Sequence, residues 1–272
     1  MKLIIIVSIG LLSVVQSVPT NYRNLTEIDT TMMPFILHGD IVDRTSIDFP
    51  YYVSVHFVEE CEVPEFYCGG AILGPSVIIS AAHCFVNKDT DKILIRPNYD
   101  NTIDFLLALD LPMSLIYYQV ESILCRHQPG LVDDICLVFL QKPIPYSHHV
   151  QPIKLPEQRY PAGTELTVIG CGRTELSSRS AHLRKANIII RSNVICEREY
   201  VRFSRETQFC AIGYGNADAS KGDSGGPAVF VNPDKSHVLV GIVSYKKADW
   251  QPGVCVNVWH YIDWIKENSR IF

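Results

Sequence analysis

The chain lacks several things, and each absence removes a class of function. It has no block of basic residues, and its formal charge is −5 over 272 residues. Nothing here offers the cationic patch that a nucleic-acid partner needs. No H-E-x-x-H occurs, so a helix-borne zinc protease has no ligands. The one histidine pair, His148-His149, consists of neighbours, and in an extended segment neighbouring side chains point apart, which suits a solvated loop and not a chelate. No apolar run, the N-terminal one included, is long enough to cross a bilayer. Internal repeats and low-complexity tracts are absent too. No metal, cofactor, nucleic acid or membrane is expected as a partner.

What is present begins with Met1 and Lys2, followed by an apolar run from Leu3 to Val15 and small residues at Val15 and Ser17. That pattern predicts a secretory signal peptide over 1–17, with cleavage after Ser17 and an extracellular product. Nine cysteines suit that compartment, where disulfides persist, and an odd number leaves at least one outside an internal pair. The mature chain is of a length for one large β domain or two small ones. Asn24-Leu25-Thr26 forms a glycosylation sequon just after the leader.

The rest reads as short strands. The segments 51–57, 71–80, 134–140, 166–172 and 237–245 are rich in β-branched and aromatic residues and are separated by Gly, Pro, Asn and Asp. This spacing predicts an all-β sandwich or barrel. At the C-terminus Val258, Tyr261, Ile262 and Ile265 recur at helical spacing, which predicts an amphipathic helix over 257–268.

The stretch SKGDSGGPAV, residues 220–229, crowds glycines around Ser224. Gly, Asp, Ser and Pro are ordinary turn residues, but such a loop can also turn its N–H groups onto one point. A serine hydroxyl becomes a nucleophile only when a base removes its proton, and that base needs an orienting acid. SAAHC supplies His83 and DDICLVFL supplies Asp134. A nucleophile elbow of the α/β-hydrolase kind, formally matched by Gly222, Ser224 and Gly226, requires the acid and the histidine to follow the serine, and here both precede it.

The order His83, Asp134, Ser224, together with CGGAILGPSVIISAAHC, DDICLVFLQKPI, GDSGGPAV and PGVCVNV in sequence, resembles the trypsin-like, chymotrypsin-fold serine proteases. The resemblance runs from about Ile36 to the C-terminal helix. It implies two six-stranded antiparallel β-barrels with a C-terminal helix, a propeptide over 18–35 and a peptidase domain over 36–272, its halves meeting near 150–151. By resemblance Ser224 attacks the scissile carbonyl, His83 shuttles the proton, Asp134 fixes the imidazole, and the N–H groups of Gly222 and Ser224 form the oxyanion hole. The resemblance pairs Cys68 with Cys84 and Cys196 with Cys210, each closing a loop of roughly 15 residues and contributing about 3 kcal/mol. Ser220 stands where the family has a cysteine, and the partner loop 244–253 has none. Cys61, Cys125, Cys136, Cys171 and Cys255 receive no partner.

The same resemblance sets Asp218 at the floor of the specificity pocket, Gly253 in its wall, Ser244 at the start of the substrate-pairing segment, and Tyr245 and Lys246 at its rim. Arg or Lys is then the expected residue before the cut. Lys246 replaces a glycine, and with Lys221 and Lys247 it favours acidic residues beside the cut. Activation would fall between Phe35 and Ile36, with Asp223 as counter-ion of the new N-terminus. The expected product is a monomeric secreted endopeptidase made as a zymogen, whose partners are protein or peptide substrates, an activating protease and protein protease inhibitors. The alternative is a non-catalytic binding or regulatory protein on the same scaffold.

Overall fold

A computed structural model describes residues 39–43, 48–59, 64–97, 116–126, 131–172, 180, 182–214, 217, 219, 222–247 and 251–269. Asn24, Phe35, Ile36, Cys61, Asp218, Ser220 and Lys221 lie outside them.

After a two-residue strand β1 (Asp40–Ile41) come β2 (Tyr52–Phe57), β3 (Glu65–Gly74), β4 (Val77–Ser80), β5 (Ile93–Pro97), β6 (Tyr118–Arg126) and β7 (Ile135–Leu140). The last six close an antiparallel barrel in the order β2-β3-β4-β7-β6-β5. The stretch 71–80, which reads as one strand, is a hairpin: Gly74 pairs with Val77 around Pro75 and Ser76.

The second barrel contains β8 (Glu165–Gly170), β9 (Arg184–Arg191), β10 (Gln208–Gly213), β11 (Pro227–Val231), β12 (His237–Tyr245) and β13 (Gly253–Asn257). It closes through the β11–β8 and β8–β9 pairings, and β1 adds to β9. Pro227 opens its strand, a position where a missing N–H costs no interior ladder bond. Alternate residues fill the interior: Leu166 and Val168 from β8, Ala186, Ile188 and Ile190 from β9, Phe209 and Ala211 from β10. Each large aliphatic buried this way stabilises by about 1.5–3 kcal/mol.

Among the described residues are two α-helices, α1 (Asn193–Glu199) and α2 (Ile262–Ser269), the latter entered by a 3-10 turn at Val258–Tyr261. The predicted C-terminal helix is thus 3-10 in its first turn. Val258, Tyr261, Ile262 and Ile265 are buried in the same apolar cluster as Ile72, Ile79 and Leu137 of the first barrel. The chain leaves barrel two and returns to pack on barrel one. No helix among the described residues is long and apolar enough to cross a membrane.

Candidate functional site

Asp134 sits immediately before β7 and is completely buried. Its carboxylate accepts three hydrogen bonds: the His83 N–H at 2.8 Å on Oδ1, and the His83 Nδ1–H at 2.7 Å and the Ser244 hydroxyl at 2.5 Å on Oδ2. Burial pushes the carboxyl pKa up, but the bonds and charge offered by His83, with the Ser244 hydroxyl, more than offset it and hold it below the usual value. Because an ionised carboxylate can only accept, Nδ1 carries the imidazole proton, and Nε2 keeps its lone pair for another group.

His83 lies on a 3-10 turn, Ala82–Cys84, pinned to β3 by the Cys68–Cys84 disulfide. Its side chain is 26% exposed, so the imidazole looks out of the protein while its carboxylate partner is sealed in. Cys68, His83 and Cys84 put potential metal ligands close together. The two sulfurs are bonded to each other and Nδ1 to Asp134, so the set does not suit a cation.

The Ser224 loop is fixed against barrel one. The Gly69 N–H donates to the Ser224 carbonyl at 2.8 Å, and the Gly225 N–H donates to the Val243 carbonyl at 2.8 Å. Gly225 has φ +78, and a Cβ there would lie 2.2 Å from Ser80 Oγ and 2.5 Å from the Gly69 carbonyl oxygen. Only glycine fits. Gly222 also has a positive φ, +99. Among the described residues neither the Gly222 nor the Ser224 N–H meets an acceptor. The Ser224 hydroxyl donates at 3.5 Å to the Ser244 carbonyl, and among the described residues it has no hydrogen bond to His83. Hydrogen bonds between nucleophile and base often tighten only with substrate bound.

Asp223 is buried, and its Oδ1 accepts the Gly172 N–H at 2.9 Å. Side chains at Gly170 or Gly172 would put a Cβ 2.2 or 2.6 Å from that oxygen. The sequence reading missed both glycines, though they flank Cys171 in GCG.

At the expected pocket, Ser244 is buried and Tyr245 half-buried at the end of β12. Burial pushes the Tyr245 hydroxyl up to about 12. A Cβ on Gly253 would be 3.9 Å from Lys246 Cβ, so the lysine stem stands next to the wall glycine. Lys247 departs from its expected role as a rim charge. Its ammonium donates to the Glu199 carbonyl at the end of α1 and lies 5.2 Å from the centre of the Tyr200 ring. Tyr200, which the sequence reading missed, donates its hydroxyl to the Pro252 carbonyl and accepts the Lys247 N–H at 3.3 Å. One hydroxyl thereby bridges both stems of the loop that lacks the family's cysteine. No motif marks this tyrosine.

Cys196–Cys210 forms as the resemblance implies, and a third disulfide joins Cys125 to Cys136, directly opposite on β6 and β7. Cys171 and Cys255 are buried and lie outside these three.

The family model described as Trypsin matches residues 40–265. The chain belongs to the trypsin family. Among related trypsin-family proteins, phenoloxidase-activating factor 3 of Holotrichia diomphalia is 27% identical over 87% of this chain and 73% of its own length. Coagulation factor XI of Bos taurus is 30% identical over 82% of this chain and 36% of its own length. Transmembrane protease serine 11B of Homo sapiens is 32% identical over 75% of this chain and 50% of its own length.

Proposed function

We propose that this trypsin-family chain is a secreted serine endopeptidase, made as a zymogen, that cuts peptide bonds after Arg or Lys. The observation that carries the reading is the cage around Asp134: two bonds from His83 and one from Ser244 on a fully buried carboxylate. In this reading the cage leaves Nε2 to accept the Ser224 proton. In the proposed mechanism Ser224 Oγ attacks the scissile carbonyl as Nε2 takes its proton. The Gly222 and Ser224 N–H groups receive the oxyanion. The imidazolium, stabilised by Asp134, then protonates the leaving amine, and water repeats the sequence on the acyl enzyme. Asp218 supplies the pocket charge, and a cut after Phe35 frees Ile36 to pair with Asp223. Protein substrates follow from the family, and relatives named for activating phenoloxidase make a proenzyme a reasonable substrate class.

The test is a fluorophosphonate probe applied after processing at Phe35. Labelling at Ser224, lost in Ser224→Ala, is the expected result. A processed, folded chain that neither labels nor cleaves any peptide would support the second reading, a non-catalytic regulatory protein. The Ser224 hydroxyl resting on the Ser244 carbonyl and Lys246 beside the pocket wall favour that reading.

A further inference from the structure

Four consecutive residues of barrel one, 131–134, each accept a hydrogen bond from a side chain that lies beyond that barrel in sequence. The Leu131 carbonyl takes the Gln208 Nε2–H at 2.7 Å, and the Val132 carbonyl takes the Thr207 hydroxyl at 2.9 Å. Asp133 Oδ1 takes the Tyr261 hydroxyl at 2.5 Å, and Asp134 Oδ2 takes the Ser244 hydroxyl at 2.5 Å. Only the last of these touches the proposed triad.

The donors are fixed in turn. Gln208 is fully buried, and the Ser204 N–H donates to its Oε1 at 3.0 Å, which leaves the amide nitrogen for Leu131. The Thr207 carbonyl accepts the Asn257 N–H at 2.8 Å, so this residue is tied to β13. Tyr261 is buried, and burial beside Asp133 raises its hydroxyl far above the usual value, so it stays a proton donor. The segment they hold is strained. Leu131 has φ +62, a left-handed conformation that a leucine adopts at a cost of order 1 kcal/mol and keeps only where its surroundings impose it.

We propose that Thr207, Gln208 and Tyr261 are positioning residues, which hold the 131–134 turn from barrel two and from the C-terminal 3-10 turn and so set where the Asp134 carboxylate meets His83. The inference rests on the reading of Asp134 and His83 as catalytic partners. A carboxylate bound to β7 alone would follow any movement of barrel one. Held through its three preceding residues, it stays in register with Ser224, which barrel two carries. Small displacements matter here, since a shift of about 1 Å in a catalytic group can cost about 100-fold in rate.

The test uses full-length protein carrying Thr207→Val, which keeps shape and loses the donor, Thr207→Ser, which keeps the donor, Gln208→Met and Tyr261→Phe. Two quantities are read: the downfield NMR signal of the His83 Nδ1 proton, which needs no turnover, and kcat with KM after processing. The expected result is a shifted or broadened signal and a kcat lowered about tenfold in Thr207→Val and Gln208→Met, with KM little changed and Thr207→Ser close to wild type. If Gln208→Met does not fold, the Thr207 pair decides alone. Folded variants with a wild-type signal and wild-type kcat, whatever their thermal stability, overturn the proposal. A wild-type protein that is inactive, yet whose signal responds to these changes, keeps the proposal and removes the endopeptidase reading.

Discussion

The Ser244 hydroxyl reaches Asp134 Oδ2 at 2.5 Å, while the carbonyl of the same residue holds the Ser224 hydroxyl at 3.5 Å. One residue of β12 thus touches both the acid and the nucleophile of the proposed triad. Its side chain stabilises the carboxylate, and its main chain parks the serine.

Ser224→Ala should abolish peptidase activity. Asp134→Asn should lower kcat by roughly 10⁴-fold, the loss known from the protease template when the buried aspartate is amidated and the imidazole takes the wrong tautomer. Steady-state kinetics on a peptide substrate check both. Wild-type turnover by Ser224→Ala would disprove the assignment.

Ser244→Ala removes one donor from a buried, charged acceptor, an interaction worth about 1.5–3 kcal/mol. The Asp134 pKa is depressed in the folded protein. Its contribution to stability is therefore complete above the unfolded carboxyl value and is lost as pH falls through the folded one. In Ser244→Ala the depression is smaller, so the acid-induced loss should be smaller and should finish at a higher pH, its onset being set by the unfolded chain. Urea unfolding between about pH 2 and 6 measures the displacement, and identical profiles would contradict it.

Lys246→Gly should raise kcat/KM for Arg and Lys substrates by opening the space beside Gly253, and Asp218→Ser should remove the preference for them. Any favour for acidic residues beside the cut should weaken with salt, since exposed charges are screened. Lys247→Ala should change it least, because its ammonium is already bound to the Glu199 carbonyl. A peptide-library profile dominated by aromatic residues before the cut would count against this pocket.

The proposed pocket prefers a cation, whereas Phe35 precedes the expected activation cut, so the proposed zymogen should not process itself. Incubation with chymotrypsin, but not alone, should yield an active form beginning at Ile36. Loss of the new ammonium would leave the buried Asp223 charge without that counter-ion, a costly state. N-terminal sequencing decides the matter: rapid self-processing, or an active form starting elsewhere, argues against it.

Replacing Cys125 and Cys136 together with Ser should destabilise the chain by about 2–3 kcal/mol, as expected for a bridge across a short loop. Equilibrium unfolding of the purified protein, compared with wild type, gives the value.

Much of this was legible in the sequence because the chemistry is local. GDSGGP, AAHC and DDIC each carry their residue types with their turns, and runs rich in β-branched and aromatic residues marked the strands. What escaped depends on pairing between distant segments. Cys125 meets Cys136 only because β6 and β7 adopt one register. Thr207 and Gln208 find their carbonyls 75 and 77 positions away. Lys247 reads as a solvated charge until the end of α1 lies beneath it. The positive φ of Leu131 leaves no trace in residue type at all.

The close fit of Gly225 against Ser80 and the Gly69 carbonyl makes the two barrels poor modules. Neither half carries a working fragment of the site, because the serine loop takes its shape from a surface supplied by the other half. Co-expressed as separate pieces, the halves would behave as a complementation pair, silent alone and reporting by their activity that they had met.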